Sequence, residues 1–217
     1  MKAPALEAMG PRLRGVILSG GPASVYEADA PHVHPDIWAY VKETGLPVLG
    51  ICYGFQEMSH ALGGAVERAP EREFGHAEVT AVGAGSPLLA GLPPAFKVWM
   101  SHGDKITALP PGFAPVGSTP NCEFAACAGT LGAAPMFGVQ FHPEVSHTPD
   151  GKDLLGNFLV GVCGMKQDWS MASFLDGACV GRRRARRAGG PGCARTPLRP
   201  VPPAPGSVSR HRASSNA

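Results

Sequence analysis

A cysteine flanked by glycines joins a short apolar segment to a helical one in the first third of the chain. Residues 46–51 predict a buried strand, and residues 56–62 predict a helix that ends at a pair of glycines. Cys52 therefore lies on a tight turn from strand to helix, where Gly50 and Gly54 permit a bend that side chains would obstruct. Because a helix N-terminus favours negative charge, we expect it to stabilise the Cys52 thiolate.

The second chemical motif is a histidine that follows another apolar strand further along the chain. Residues 136–141 predict a strand that presents His142 at the sheet edge that also carries Cys52. Glu144 follows after a rigid proline, so it can accept the other imidazole N–H and fix the histidine tautomer. Cys52, His142 and Glu144 together predict a triad for thiol-dependent acyl transfer.

Short apolar segments alternate with helical ones over much of the chain. The further strands are predicted at residues 15–19, 77–82, 97–100 and 114–118, and the further helices at residues 35–44 and 152–162. Several of the later strands alternate apolar and polar residues, which favours antiparallel pairing among them. We predict an α/β fold with a mixed, mainly parallel open sheet flanked by helices on both faces.

The composition indicates one domain in a reducing compartment. The chain has 217 residues, of which 44% are hydrophobic and 17% charged, enough apolar material for one well-packed domain. Its six cysteines show no paired spacing, so we expect free thiols. The first residues lack the apolar core of a secretory leader, and no continuous apolar stretch reaches membrane-spanning length. We predict a cytoplasmic protein.

The C-terminal segment differs from the rest in composition. Residues 182–187 contain five arginines, and the sequence then continues through arginine, proline, serine and glycine to residue 217. Such a segment cannot bury enough apolar area to offset its ordering entropy, so we expect disorder. It could serve in nucleic-acid binding or nuclear import. We favour the alternative, that it is GC-rich DNA translated through a retained intron or a shifted frame.

The two motifs carry a family resemblance. Residues 50–56 and 138–144 together resemble the class I (triad) glutamine amidotransferases, which implies a flavodoxin-like fold. Residues 17–22, 71–75 and 99–105 are most similar to the amidotransferase domains of GMP synthetases. The resemblance covers about residues 14–176, and its last part is similar to the linker that leads into the synthetase half of those enzymes.

The resemblance implies a role for each matching residue. Cys52, His142 and Glu144 would be catalytic, and the N–H groups of Gly21 and Tyr53 would form the oxyanion hole. The residues expected to bind substrate are Gly54, Gln56, Ser101, His102, Gly103 and Asp104. The substrate would be L-glutamine, and its ammonia would aminate XMP to GMP in purine biosynthesis. The partner would be an ATP-pyrophosphatase domain, in cis or in trans, that uses ATP and Mg²⁺, whereas this domain would need no metal or cofactor.

The chain departs from the family at both ends. The family's first strand and helix have no counterpart, so we expect residues 1–14 to form an irregular lead to an amidotransferase domain at 15–166. A linker at 167–176 and the disordered tail at 177–217 would follow, and no ATP-binding module begins there. Losing about five buried side chains would cost on the order of 10 kcal/mol, comparable with the stability of a whole domain. We therefore expect this exact chain, an incomplete version of a longer gene, to be unstable or inactive alone.

Other interpretations of the same residues are weaker. The chain could serve another class I amidotransferase system with a separate subunit, or it could be a non-catalytic fragment with a basic tail. Ser101 and His102 are adjacent in a loop, which seldom gives a working serine hydrolase dyad, and the scattered histidines lack metal-ligand spacing. Residues 19–22 lack the lysine of a phosphate-binding loop. Arg72 and Glu73 fit either a solvated charged loop or a face toward the synthetase domain.

Overall fold

The computed structural model describes residues 6–83 and 85–168. The predicted tail and nearly all of the predicted linker lie outside the described residues. The helices are α1 (Pro35–Thr44), α2 (Tyr53–Ala61) and α3 (Gly151–Gly156), and α3 continues as a π-helical segment at Asn157–Val162. The strands are β1 (Val16–Leu18), β2 (Val48–Ile51), β3 (Ala65–Ala81), β4 (Ala95–Ala108), β5 (Ala114–Ser118), β6 (Ala126–Leu131) and β7 (Ala134–Val139). No helix among the described residues is long and apolar enough to cross a membrane.

The strands form one mixed sheet in the order β1-β2-β7-β6-β5-β3-β4. The first three strands of this order are parallel, and the pairings from β7 through β4 are antiparallel. The predicted mixed sheet with flanking helices is confirmed, but the expectation of a mainly parallel sheet is wrong for the described residues. A tight turn at Gly132, with φ 62°, joins β6 to β7, and so short a connection permits only antiparallel neighbours.

Alternating residues of the central strands face two apolar clusters, one on each side of the sheet. Leu49 and Phe137 belong to the cluster that includes Leu154 and Phe158 of the C-terminal helical segment. Their neighbours Val48 and Met136 belong to the cluster that receives side chains of α1 and α2, such as Val41, Phe55 and Met58. Helices therefore cover both faces, as the sequence predicts.

The segment predicted as an irregular lead contributes to this second cluster. Leu6 is buried there, and residues Gly10–Arg12 form a short 3₁₀ turn before β1. Ile17 of β1 remains 42% exposed, and β1 stands at one end of the strand order. The segment predicted to be irregular therefore contains some helical structure.

Two glycines allow α2 to begin immediately after β2. A Cβ atom on Gly50 would lie 2.7 Å from the backbone nitrogen of Phe55, and one on Gly54 would overlap the carbonyl group of Leu18. Because no side chain fits at either position, the first turn of α2 packs directly on the carboxyl ends of β1 and β2. This close approach places Cys52, the residue between strand and helix, at the sheet edge.

Candidate active site

Cys52 occupies a strained turn that aims its side chain out of the sheet edge. Among the described residues it is the one non-glycine residue with positive φ, at φ 49° and ψ −109°. Its N–H donates to the carbonyl of Val139 at 2.8 Å, and its carbonyl accepts from the N–H groups of Phe55 and Gln56. A non-glycine residue persists in such a conformation only where its surroundings hold it, which is common at functional sites.

His142 is held beside Cys52 by Trp99 of β4 and by Thr148. Its N–H donates to the carbonyl of Trp99 at 3.0 Å, and its carbonyl accepts from the Thr148 hydroxyl at 2.6 Å. The backbone of Gly20 lies close to both residues. A Cβ atom there would lie 3.0 Å from His142 Cε1 and 3.6 Å from Cys52 Cβ.

Glu144 fixes the tautomer of His142. Its Oε1 lies 2.7 Å from His142 Nδ1, and because a carboxylate accepts, Nδ1 carries the proton. Nε2 of the neutral imidazole is then left as a proton acceptor. The structure therefore brings the three predicted catalytic residues to one place, with Cys52 and His142 lining the same cavity.

Burial, rather than the helix N-terminus, dominates the ionisation of Cys52. The side chain is buried, and this raises its pKa to about 11, well above the usual value near 8.5. A hydrogen bond from the N–H of Tyr53 lowers the pKa, and the charge of Glu144 raises it. The start of α2 thus favours the thiolate, as the sequence predicts, but burial outweighs it, so the resting thiol is neutral at pH 7.

The two predicted oxyanion-hole residues lie next to each other. A Cβ atom on Gly21 would touch the Tyr53 side chain at 3.6 Å, and Gly21 lines the cavity over Cys52. Tyr53 begins α2, where the N–H groups of the first turn lack partners within the helix. Gly54 does not line the cavity, so its place against Leu18 indicates a packing role rather than the predicted substrate contact.

The substrate-binding residues predicted on β4 differ in whether they simply line the cavity or have a side chain that is held by other parts of the protein. Ser101 and Gly103 line the cavity, and the carbonyl oxygen of Ser101 accepts from the Cys52 thiol at 3.7 Å. His102 also lines it but is 5% exposed, with Nδ1 2.9 Å from the carbonyl oxygen of Asp104 and Nε2 3.2 Å from Glu73 Oε2. Its ring thus ties β4 to β3, and Glu73 is no solvated loop residue.

Asp104 anchors a loop that sequence reasoning missed. Its carboxylate accepts from the Ser24 hydroxyl at 2.5 Å and from the Tyr26 hydroxyl at 2.8 Å. Ser24 and Tyr26 lie in the loop after β1 and line the cavity. Both carboxylate oxygens are therefore engaged within the protein. The sequence signal for this contact is weak, because serine and tyrosine are common in loops that follow a glycine-rich turn.

A second anchor holds the same loop against α2. Glu57 is buried, and its two carboxylate oxygens lie 2.8 Å from His32 Nδ1 and from the N–H of Val33. The Tyr53 hydroxyl donates to the carbonyl of Pro31 at 2.8 Å. The loop between β1 and α1 is thus attached to both β4 and α2, and it forms one wall of the site.

The cavity over Cys52 is polar and has a volume of about 1020 Å³. Its lining carries both signs of charge, from Glu27, Glu67, Arg68 and Arg72. Phe74 stands at its rim and is 63% exposed. A cavity of this size and mixed charge can admit a polar small molecule. Among residues 6–83 and 85–168, no three histidine, cysteine or acidic side chains converge to hold a metal ion.

Comparison with known protein families assigns the chain to a family. The family model described as "Glutamine amidotransferase class-I" matches residues 2–162. The chain belongs to the class I glutamine amidotransferases. The matched region includes most of the segment predicted as a lead, while the domain boundaries drawn from the sequence remain predictions.

Relatives of this amidotransferase domain share one name. The "GMP synthase [glutamine-hydrolyzing]" of Thermomicrobium roseum is 53% identical over 165 residues, which cover 76% of this chain and 30% of the relative. The protein of the same name from Aspergillus fumigatus is 49% identical over 169 residues, covering 75% of this chain and 29% of the relative. The chain thus spans about 30% of the length of these relatives.

Solved structures agree with the fold of this amidotransferase domain. A protein from Thermoplasma acidophilum, described as a GMP synthase subunit, superposes with a TM-score of 0.62 at 32% identity, covering 73% of this chain and 76% of that one. A glutamine amidotransferase from Thermotoga maritima gives a TM-score of 0.57 at 22% identity, covering 70% of this chain and 79% of that one. The second likeness supports the fold alone.

Proposed function

We propose that this amidotransferase domain hydrolyses L-glutamine at Cys52 and supplies the ammonia for amination of XMP to GMP in the cytoplasm. The observation that carries the proposal is the strained turn that presents Cys52 to a cavity shared with His142, whose other ring nitrogen is held by Glu144. The names of the relatives support the acceptor chemistry.

The chemistry follows from a neutral resting thiol. Nε2 of His142 takes the proton of Cys52 as the sulfur attacks the side-chain amide carbon of glutamine. The N–H groups of Gly21 and Tyr53 stabilise the tetrahedral oxyanion, and each donor of this kind lowers the barrier by roughly 3 kcal/mol.

The intermediate then collapses with loss of ammonia. Imidazolium His142 returns the proton to the departing nitrogen, and a γ-glutamyl thioester remains on Cys52. Water, deprotonated by the same imidazole, cleaves the thioester to glutamate and restores the thiol. Glutamine and water are thereby converted to glutamate and ammonia, with no change in the protein.

The acceptor half of the reaction belongs to an ATP-pyrophosphatase domain. That domain would use ATP and Mg²⁺ to activate XMP, and this chain would contribute ammonia alone. The partner could be in cis, since the matched region covers only about 30% of the length of the curated relatives. It could equally be a separate protein, since the Thermoplasma acidophilum relative is described as one subunit.

The test is ammonia release from L-glutamine by the full chain, alone and with an ATP-pyrophosphatase protein, XMP, ATP and Mg²⁺. We expect little release alone, faster release with the partner, and GMP as product. Cys52→Ala should abolish release, whereas Cys127→Ala, at a buried thiol outside the cavity, should retain it. Release that survives Cys52→Ala would disprove the proposal, and release that never yields GMP would point to another class I system.

A further inference from the structure

A buried row of side-chain amides connects β4 with the sulfur of Cys52. Gln140 has no exposed surface, and its Nε2 lies 3.7 Å from Cys52 Sγ. Its Oε1 lies 3.3 Å from Nε2 of Gln56, which is itself only 3% exposed. The Gln56 nitrogen also lies 3.0 Å from the carbonyl oxygen of Asp104.

The direction of these hydrogen bonds is fixed from the Asp104 end. A backbone carbonyl oxygen can only accept, so the group of Gln56 that faces Asp104 must be its NH₂. That NH₂ also faces Gln140, which must therefore present its oxygen to Gln56. The remaining group of Gln140, its NH₂, is then directed at the sulfur.

We propose that Gln140 is a further catalytic residue, whose N–H hydrogen bond stabilises the Cys52 thiolate, and that Gln56 orients it. The inference rests on the proposed function, because it assigns Cys52 as the nucleophile. It goes beyond the triad, since it adds a side-chain donor to the backbone N–H of Tyr53 at the start of α2. Gln56 also lines the cavity, so this role inside the protein accompanies its predicted contact with glutamine.

The surroundings of the sulfur explain why such a donor matters. In the neutral thiol, the S–H group donates to the carbonyl oxygen of Ser101. When His142 removes that proton, the same carbonyl oxygen faces a negative sulfur and repels it. The N–H of Gln140 then offsets the repulsion, because a hydrogen bond to an ionised acceptor is about twice as strong as one to a neutral acceptor.

The charge on the sulfur changes again when the thioester forms. A thioester sulfur is uncharged and a poor acceptor, so the bond from Gln140 weakens at that stage. The donor therefore favours formation of the thiolate and its regeneration at the end of the cycle. Its effect belongs in the ionisation of Cys52 and not in the binding of glutamine.

The experiment measures Cys52 directly, without glutamine or a partner. The full chain is treated with iodoacetamide from pH 7 to pH 9.5, and alkylation of the Cys52 peptide is followed by mass spectrometry. The variants are Gln140→Met, which removes the donor, and Gln140→Glu, which replaces it with a second acceptor. Gln167→Glu, at an exposed position, makes the same chemical change away from the site.

Loss of the donor should raise the thiol pKa by about 1 to 2 units, which lowers the thiolate fraction about 10- to 100-fold. The more basic thiolate is intrinsically more nucleophilic, so alkylation should slow by about 3- to 16-fold. Gln140→Glu should slow it further, because a carboxylate repels the thiolate. Gln167→Glu should match the parent.

Folding of each variant is checked by thermal unfolding before alkylation. If Gln140→Met or Gln140→Glu does not fold, Gln140→Asn withdraws the amide by one methylene and carries the same expectation of slower alkylation. Alkylation at the parental rate in any folded Gln140 variant would overturn the inference. Equal slowing in Gln167→Glu would overturn it as well. Neither result would bear on the glutaminase test, in which Cys52→Ala is compared with the parent.

Discussion

Replacing Gly50 with alanine tests whether the close approach of α2 to β2 builds the site. A Cβ atom on Gly50 would lie 2.7 Å from both Cα and N of Phe55, and 2.8 Å from the carbonyl oxygen of Gly54. All three are backbone atoms of the first turn of α2, so no side-chain rotation relieves the contact. Ordinary carbon contacts are about 3.5–4.0 Å, so this turn would have to move by roughly 1 Å.

The expected cost has two parts. Overpacking of this kind destabilises a domain by about 1–3 kcal/mol, which lowers Tm by about 2–12 °C for a domain of this size. The displaced turn carries Cys52, and a misplacement of about 1 Å can slow a reaction about 100-fold. Stability and ammonia release should therefore fall together.

Thermal unfolding and the ammonia assay measure these effects, with Gly156→Ala as the control. A Cβ atom on Gly156 in α3 would meet no neighbouring atom within 4 Å, so alanine there should stabilise the helix by about 0.5–1 kcal/mol. Gly156→Ala should melt slightly above the parent and keep its ammonia release. A Gly50→Ala protein that melts with the parent and retains full activity would refute the packing argument.

Two further predictions concern the loop after β1 and the buried thiols. Tyr26→Phe removes a donor to the buried Asp104 carboxylate and should lower the free energy of unfolding by about 1 kcal/mol. It should also raise KM for glutamine more than it changes kcat. Tyr40→Phe on α1 is the control, and an unchanged KM in Tyr26→Phe would contradict the role of the loop. Burial raises the pKa of the Cys127 thiol in the folded protein. The neutral thiol therefore contributes its full stabilisation of the folded state below the unfolded pKa near 8.5, and this contribution is lost as the pH rises above that value. Urea unfolding should therefore show that the free energy of unfolding falls as the pH rises above 9. Cys127→Ala should make this fall with pH shallower by about 1.4 kcal/mol per pH unit. An unchanged dependence on pH in Cys127→Ala would exclude this linkage.

The sequence pattern was sufficient to predict an element where its proline and glycine signals agree with the packing. Helix α1 was predicted with its observed bounds, because Pro35 stands at its first position and Gly45 takes φ 70° at its end. The turn at Cys52 was predicted from its flanking glycines, although α2 begins at Tyr53 rather than at Gln56. Both features depend on neighbours in the chain, which is the information that a pattern contains.

Strands that depend on distant partners were predicted less well. Strand β6, Ala126–Leu131, was missed because its small residues carry little strand preference. It forms between β5 and β7, which supply all of its hydrogen-bonding partners. Only the end of β3 was predicted, although the strand runs over Ala65–Ala81 against β4. Its charged residues interrupt the pattern, while pairing with a long neighbour maintains the strand.

The same limit applies to the site. Ser24, Tyr26 and Gln140 act through contacts with Asp104 or Cys52, residues that lie far away in the sequence. No spacing rule identifies such pairs. His102 and Asp104 were predicted as substrate-binding residues from the family resemblance, yet their side chains hold β3 and the loop after β1 in place.

The ionisation of Cys52 connects these structural features with the expected dependence on a partner. With a thiol pKa of about 11, far fewer molecules carry a thiolate at pH 7 than the few per cent of an ordinary thiol. A low resting rate would suit an enzyme whose ammonia is useful only when an acceptor is ready. The groups that contact the sulfur are the N–H of Tyr53, the amide of Gln140 and the carbonyl oxygen of Ser101. A change in any of these contacts would shift the pKa of the thiol. A partner that raised the rate by lowering this pKa would also speed the alkylation of Cys52, so alkylation rates measured with and without the partner test this route.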